Sequence, residues 1–207
     1  RVHYYLDQNR PIHAERLEKG YGRYQEMLQK RAERIPLQQI LGMQDFMGMT
    51  FSVDENVLIP RQDTETLVER VLRDYPEKDL KLLDMCTGSG CIAISLAVLG
   101  GYQNVTAVDI SASAIEMAKE NARRNGLTDR MDFLVADVFD LLPELAAKGK
   151  APYDFIILDP PAFTKSRKTV DSAQRGYKEI NLRAMKLLPR GGYLATCSCS
   201  HFMTEDL

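Results

Sequence analysis

Three aspartates close three short apolar runs: Leu-Leu-Asp-Met at 82–85, Val-Thr-Ala-Val-Asp at 105–109 and Phe-Ile-Ile-Leu-Asp at 155–159. A carboxylate at the end of an apolar run must find donors or water, so Asp84, Asp109 and Asp159 are expected at one edge of a sheet, open to a ligand. The first run continues as Asp-Met-Cys-Thr-Gly-Ser-Gly-Cys, residues 84–91. Gly88 and Gly90, next to Thr87, allow a tight turn and let a ligand approach without a Cβ in the way. Position 93 is alanine and no Gly-Lys-Ser/Thr follows, so neither the dinucleotide nor the P-loop pattern is complete, and the ligand need not be a phosphate. Asp109 lies about 20 residues beyond the glycines, where a carboxylate can accept both hydroxyls of a ribose. Asp137, in Val-Ala-Asp-Val-Phe, can accept from an adenine amino group. Each aspartate alone could cap a helix; three strand ends converging on a glycine turn point instead to a nucleoside site.

The elements that must hold these groups follow from the pattern. Strands are expected at Lys81–Met85, Asn104–Ile110, Met131–Ala136, Asp154–Asp159 and Gly192–Ser198, separated by helical stretches. Strands alternating with helices predict an α/β fold with a doubly wound, mostly parallel sheet. Ahead of it, Pro11–Arg34 predicts an amphipathic helix with Leu17, Tyr21, Tyr24 and Leu28 at spacings of three and four. Gln44–Val53 suits a hairpin. A helix over Glu65–Tyr75, capped by Asp63 or Thr64, would hold the loop Pro60-Arg61-Gln62 at its N-terminus. Glu144–Pro152 is expected as a flexible loop. The domain expectation is a helical and hairpin substrate-recognition region over 1–56, a linker loop and helix over 57–79, and the catalytic α/β domain over 80–207.

The 207 residues, 44% of them hydrophobic, suffice for one α/β domain with a small helical extension. No apolar run is long enough to span a bilayer and the N-terminus lacks a signal-peptide core, which predicts a cytoplasmic protein without membrane partners. Cys86, Cys91, Cys197 and Cys199 do not show disulfide-scaffold spacing and are expected as reduced thiols. His3, His13 and His201 are scattered, so no metal site is expected. The net charge of −2 excludes a uniformly basic coat, yet Lys165 to Arg190 holds eight basic residues against Asp171 and Glu179. Such a run is ordinarily a solvated helix face; its place directly after Asp159-Pro160-Pro161 gives it interest.

On the residues 84–91, Asp109 and Asp137, the chain resembles class I S-adenosylmethionine methyltransferases over nearly its whole length. The resemblance implies S-adenosyl-L-methionine as cofactor, held by Asp84, Thr87, Gly88, Gly90, Asp109 and Asp137, with Val138 beside the base. It also implies a Rossmann-like sheet, here C-terminally incomplete because the sequence stops before the last two strands of the usual seven. The chain starts without methionine and stops at Leu207. A fragment, or a joined sequence with a crossover near residues 100–105, is therefore expected.

Two narrower resemblances divide the chain. Ile-Pro-Leu-Gln-Gln-Ile-Leu-Gly (35–42), Val-Leu-Ile-Pro-Arg-Gln-Asp-Thr-Glu (57–65) and the glycine segment are similar to release-factor glutamine methyltransferases. Those enzymes carry a helical N-terminal domain that recognises the release factor, and an Asn-Pro-Pro-Tyr motif that holds the substrate amide. Here that motif is Asp159-Pro160-Pro161-Ala162-Phe163, and an ionised carboxylate cannot donate to the amide carbonyl. Asp-Pro-Pro-Ala-Phe-Thr-Lys-Ser (159–166), Arg-Gly-Tyr-Lys-Glu-Ile-Asn-Leu-Arg-Ala (175–184) and Cys-Ser-Cys-Ser (197–200) instead resemble large-subunit rRNA methyltransferases that modify cytosine carbon 5. That resemblance implies Cys199 as covalent nucleophile, because a cytosine carbon accepts methyl poorly until a thiolate adds to the ring, and Asp159 as the acid on the base. Those enzymes usually carry an N-terminal RNA-binding module, which these 207 residues are not expected to hold. Phe163 is then expected to stack on an unpaired base, and Lys165 and Arg167 to meet phosphates. The partner is rRNA or a release factor; the same fold as a non-catalytic module that only binds adenosylmethionine or RNA remains the alternative from another class.

Overall fold

The computed structural model describes residues 11–127, 129–149, 153–164 and 166–200, and of 11–18 and Arg167 the backbone alone. The chain divides into two compact units, residues up to Gly42 and residues from Met43 onward.

In the first unit, helix α1 spans Pro11–Ala32 and a short helix α2 spans Leu37–Leu41. Arg34 takes a positive φ of 67° just before Ile35-Pro36, where proline forbids continuation of the helix. The sequence reading had no helix at α2; Pro36 sits at its N-cap and Gly42 closes it in the left-handed conformation. Tyr21, Tyr24 and Leu28 of the expected stripe are exposed on α1, and the side chain of Leu17 lies outside the described residues.

The second unit opens with an antiparallel hairpin, β1 (Met43–Phe46) and β2 (Met49–Ser52), turning through Met47 and Gly48, both at positive φ. Helix α3 (Gln62–Asp74) follows. The expected cap is not made: extended Arg61 is the N-cap residue, without a side-chain bond, and Asp63 falls in the first turn, where a carboxylate still favours the helix dipole. Glu65, also in that turn, accepts the Met47 N–H at 2.6 Å and ties the helix to the hairpin.

Five parallel strands form the sheet: β3 (Lys81–Met85), β4 (Asn104–Asp109), β5 (Asp132–Val135), β6 (Phe155–Leu158) and β7 (Tyr193–Thr196), in the order β5-β4-β3-β6-β7. Side chains alternate between its faces. Leu82, Val105, Ala107, Phe155 and Ile157 join a core with Phe46, Phe51, Val68 and Val71, beneath α4 (Cys91–Ser95) and the π-helical turn Leu96–Gly100 that prolongs it. Leu83, Met85, Val108, Ile156 and Leu158 join a second core with α6 (Val138–Ala147) and α7 (Val170–Leu187). Helix α5 (Ala112–Arg124) links β4 to β5. Helices therefore cover both faces, as a doubly wound sheet requires. Strand β7, the outer strand on its side among the described residues, is four residues long and half-exposed, so the edge it presents is short.

The expected loop from Glu144 is helix up to Ala147, with Pro143 inside it. Proline removes the N–H that would bond the Phe139 carbonyl, and Arg183 of α7 supplies the missing donor at 2.8 Å. Arg183 is thereby engaged inside the fold, also pairing with Glu179, instead of waiting for a phosphate.

Candidate functional site

Strand order reverses at β3: the chain moves outward to β4 and β5, then returns to place β6 on the other flank of β3. Ligand clefts of open α/β sheets form at the C-terminal ends of the strands flanking such a point. Here Met85, Val108 and Leu158 lie side by side in register, so Asp109 and Asp159, each one residue further on, flank the cleft floor. A cleft of about 390 Å³ opens above them, within the range of small-ligand sites.

Of the residues singled out from sequence, Thr87, Gly88, Asp109, Asp137, Val138, Asp159, Pro160, Pro161, Phe163 and Cys199 line this one cleft. Asp84 and Gly90 do not. Asp84 is buried one row below, its Oδ2 accepting from Thr87 Oγ1 at 2.6 Å while Oδ1 lacks a partner of normal geometry. Burial, with the neighbouring Asp159 and Asp109 charges, lifts its pKa to about 7 against the pull of Thr87. Gly90 is held at φ 81°, where a Cβ would come within 2.8 Å of Ile94 Cδ1 and 3.1 Å of Ala118 Cβ, so its glycine serves packing behind the loop. Lys165 and the side chain of Arg167 lie outside the described residues.

The glycine loop is held from several sides. Asp109 Oδ2 accepts the Gly88 N–H at 2.9 Å, and Oδ1 accepts the Ser111 N–H at 2.9 Å. Each carboxylate oxygen retains a lone pair for a hydroxyl donor. Gly88, at φ 56°, has open space where a side chain would begin, and Ser89 Oγ is buried on the cleft wall with no partner of normal geometry, the Cys91 thiol lying beside it. Asp137 caps α6 by accepting the Phe139 N–H at 2.8 Å, beside the apolar surfaces of Ile110, Val138 and Phe139. Acceptors for a diol, a buried hydroxyl at the turn and an apolar slot next to a carboxylate fit a nucleoside carrying a polar tail.

At the other end, Cys199 Sγ stands 3.9 Å from Asp159 Oδ1, within reach of a weak thiol hydrogen bond. The loop after β6 is buttressed: Phe163 packs on Tyr177 with ring centroids 4.4 Å apart, and the Tyr177 hydroxyl meets Ser200 Oγ at 2.9 Å. Cys197 continues the sheet through its N–H to the Leu158 carbonyl and does not line the cleft. Burial raises the pKa of Asp159, partly opposed by the Arg61 guanidinium and the Cys199 thiol. Burial and the Asp159 charge raise that of Cys199, again opposed by Arg61. Cys197 is pushed up to about 12, chiefly by burial.

From the sequence, Pro60–Asp63 is expected near the cofactor edge, and Pro60 and Arg61 do line the cleft; the extent of the wall, back to Asn56, is not marked by any local pattern. Asn56–Arg61 lines the cleft, and Arg61 is its single cation among the described residues. Cys86 was also missed: it lines the cleft at φ 65°, a conformation that costs a side-chain-bearing residue. Its signal was the strand end one residue ahead of Thr87-Gly88.

Residues 76–207 match the family model described as a methyltransferase domain. The release factor glutamine methyltransferase of Chlorobaculum tepidum is 34% identical over 94% of this chain and 71% of its own length. The ribosomal RNA large subunit methyltransferase I of Klebsiella pneumoniae is 41% identical over 62% of this chain, but the match spans only 32% of that protein. Among solved structures, SMU.776 complexed with SAH superposes at TM-score 0.65 with 20% identity, over 77% of this chain and 42% of that one. Among the described residues no helix is long and apolar enough to cross a membrane.

Proposed function

Because this chain belongs to the S-adenosylmethionine-dependent methyltransferases, we propose that it methylates a cytosine ring of ribosomal RNA, with Cys199 as nucleophile and Asp159 holding the base. The observation that carries this reading is the approach of the Cys199 thiol to the Asp159 carboxyl on the cleft wall. S-Adenosyl-L-methionine, when bound, supplies an electrophilic methyl group on a sulfonium. Asp109 would hold its ribose, Gly88 and Ser89 its amino-acid end, and Val138 and Phe139 its adenine. The chain's task at the acceptor is to make carbon 5 nucleophilic. The Cys199 sulfur bonds to carbon 6, its proton passes to Asp159, and the ring electron pair moves toward carbon 5. Carbon 5 would then bond to the methyl group as the methyl–sulfonium bond breaks; its proton passes to solvent, the freed pair restores the ring double bond, and the sulfur–carbon bond breaks to release the thiolate. Exposed Lys168, Arg175, Lys178, Lys186 and Arg190 supply cations for phosphates on the same stretch of chain as the acceptor loop.

Glutamine methylation of a release factor is the second reading, favoured by the match over 94% of the chain to an enzyme of that name. Burial shifts Asp159 toward its protonated form, and a protonated carboxyl both donates and accepts, as the asparagine amide does. One experiment separates the two. Labelled S-adenosylmethionine is supplied with rRNA and with release factor in parallel, to wild type and Cys199→Ala. Label on rRNA that vanishes in the variant is the expected result. Label on release factor that survives loss of the thiol assigns the glutamine reaction.

A further inference from the structure

We infer that Asn121 is a positioning residue that ties the cofactor loop to the β1–β2 hairpin, so that the loop and the wall Asn56–Arg61 are set as one piece. Asn121 lies on α5, is 0% exposed and does not line the cleft. A buried amide is costly unless its hydrogen bonds are made. Its Oδ1 accepts the Ser52 N–H at 2.6 Å, and its Nδ2 donates to the Ser52 carbonyl at 3.0 Å and to the Ser89 carbonyl at 2.9 Å. Two of these bonds grip the backbone of a single residue as a neighbouring strand would. The third grips the glycine loop one residue after Gly88, whose N–H is held by Asp109.

Ser52 ends β2, and the chain beyond it is anchored to the same helix, since Val53 and Val57 bury against Ala114 of α5. It then forms the wall ending at Arg61. Asn121 is thus the polar joint between the segment that faces the acceptor and the loop that faces the cofactor. A ligand that orders Thr87–Ser89 therefore orders the hairpin as well, and by reciprocity ordering the hairpin favours the ligand. The inference rests on the cleft being the cofactor site and holds whichever acceptor is used, so the failure of either acceptor reading leaves it standing.

The test is amide hydrogen exchange on the full chain, with and without S-adenosylhomocysteine, for wild type, Asn121→Ala and Asn121→Asp. In wild type, the ligand should slow exchange both at residues 86–90 and at 43–53, which do not line the cleft. In Asn121→Ala, slowing at 86–90 should persist at saturating ligand while the slowing at 43–53 disappears. Binding should weaken about tenfold, the ratio one net hydrogen bond gives. Asn121→Asp keeps the acceptor for the Ser52 N–H but loses both donors; it should lose the same ligand response and serves if the alanine variant does not fold. A purely structural Asn121 would loosen 43–53 equally with and without ligand and leave the ligand-induced increment intact. That result, or a wild-type hairpin that does not respond to the ligand, overturns the inference.

Discussion

Arg61 stands where its charge favours the ionised forms of both Asp159 and Cys199, while burial opposes them. In the cytosine reaction the working pair carries one proton: the thiol must lose it and the carboxyl must be able to hold it. The rate should therefore be bell-shaped in pH, with an acid limb from the raised Asp159 pKa and an alkaline limb from the raised Cys199 pKa. Removing a cation favours the protonated partner in both cases. Arg61→Ala should thus move both limbs to higher pH, which a pH–rate profile on rRNA would reveal; limbs that stay put or move down would remove Arg61 from the acceptor end. Asp109 poses a simpler question. Asp109→Ala deletes the acceptor for a diol and also frees the Gly88 N–H. S-Adenosylhomocysteine binding should weaken by about 1–3 kcal/mol, the range for hydrogen bonds to a charged group, as read by calorimetry.

Among the elements, β3 and the turn after it carry a buried charge problem that shows in stability. Asp84 is raised by burial from 3.8 to about 7, so the folded state binds a proton that the unfolded chain releases. That contribution is complete below about pH 4 and is lost as pH rises through about 7, a change on the order of 4 kcal/mol. Asp84→Asn should flatten the dependence of Tm on pH over that window and leave the variant more stable than wild type at about pH 8. A wild-type Tm independent of pH would show that the carboxyl is not buried. The same strand illustrates what pattern reveals. The central strands β3, β4 and β6 were legible because apolar residues on both faces, closed by aspartate, occur where parallel strands lie between two helical layers. The cleft-lining aspartates followed from them. Helix α2 was not legible, being five residues without a side-chain cap. Nor was α6 through Pro143, because the donor that rescues it comes from Arg183, 44 positions away from the bonded Phe139. Asn121 escaped for the same reason: its partners lie 69 and 32 positions away, and no local pattern marks an asparagine in a helix as a joint.

At the scale of the whole molecule, the place where the chain can be cut follows from the cores, not from the change of sequence resemblance. Among the described residues, every buried member of the three hydrophobic clusters lies at or beyond Phe46. Phe46, Phe51, Val68 and Val71 belong to the core that also takes Leu82, Val105 and Ile157 from the central sheet. A chain beginning at Met43 keeps all of them; a chain beginning at Pro76, where the methyltransferase family match starts, loses these four together with Val53 and Val57 of the third cluster. Burying each such side chain contributes about 1.5–3 kcal/mol, so the second cut removes about 9–18 kcal/mol from a domain whose total stability is about 5–15 kcal/mol. It also removes Asn56–Arg61 from the cleft. The Met43 chain should therefore unfold cooperatively and bind S-adenosylhomocysteine within about twofold of the full chain, whereas the Pro76 chain should lose both a cooperative transition and measurable binding. Thermal unfolding and calorimetry on the two truncations check this directly. If the release-factor reading holds through α1 and α2, the Met43 chain keeps its cofactor affinity but ceases to retain release factor in a pull-down. Retention by that chain would place the protein-recognition surface in the methyltransferase unit itself.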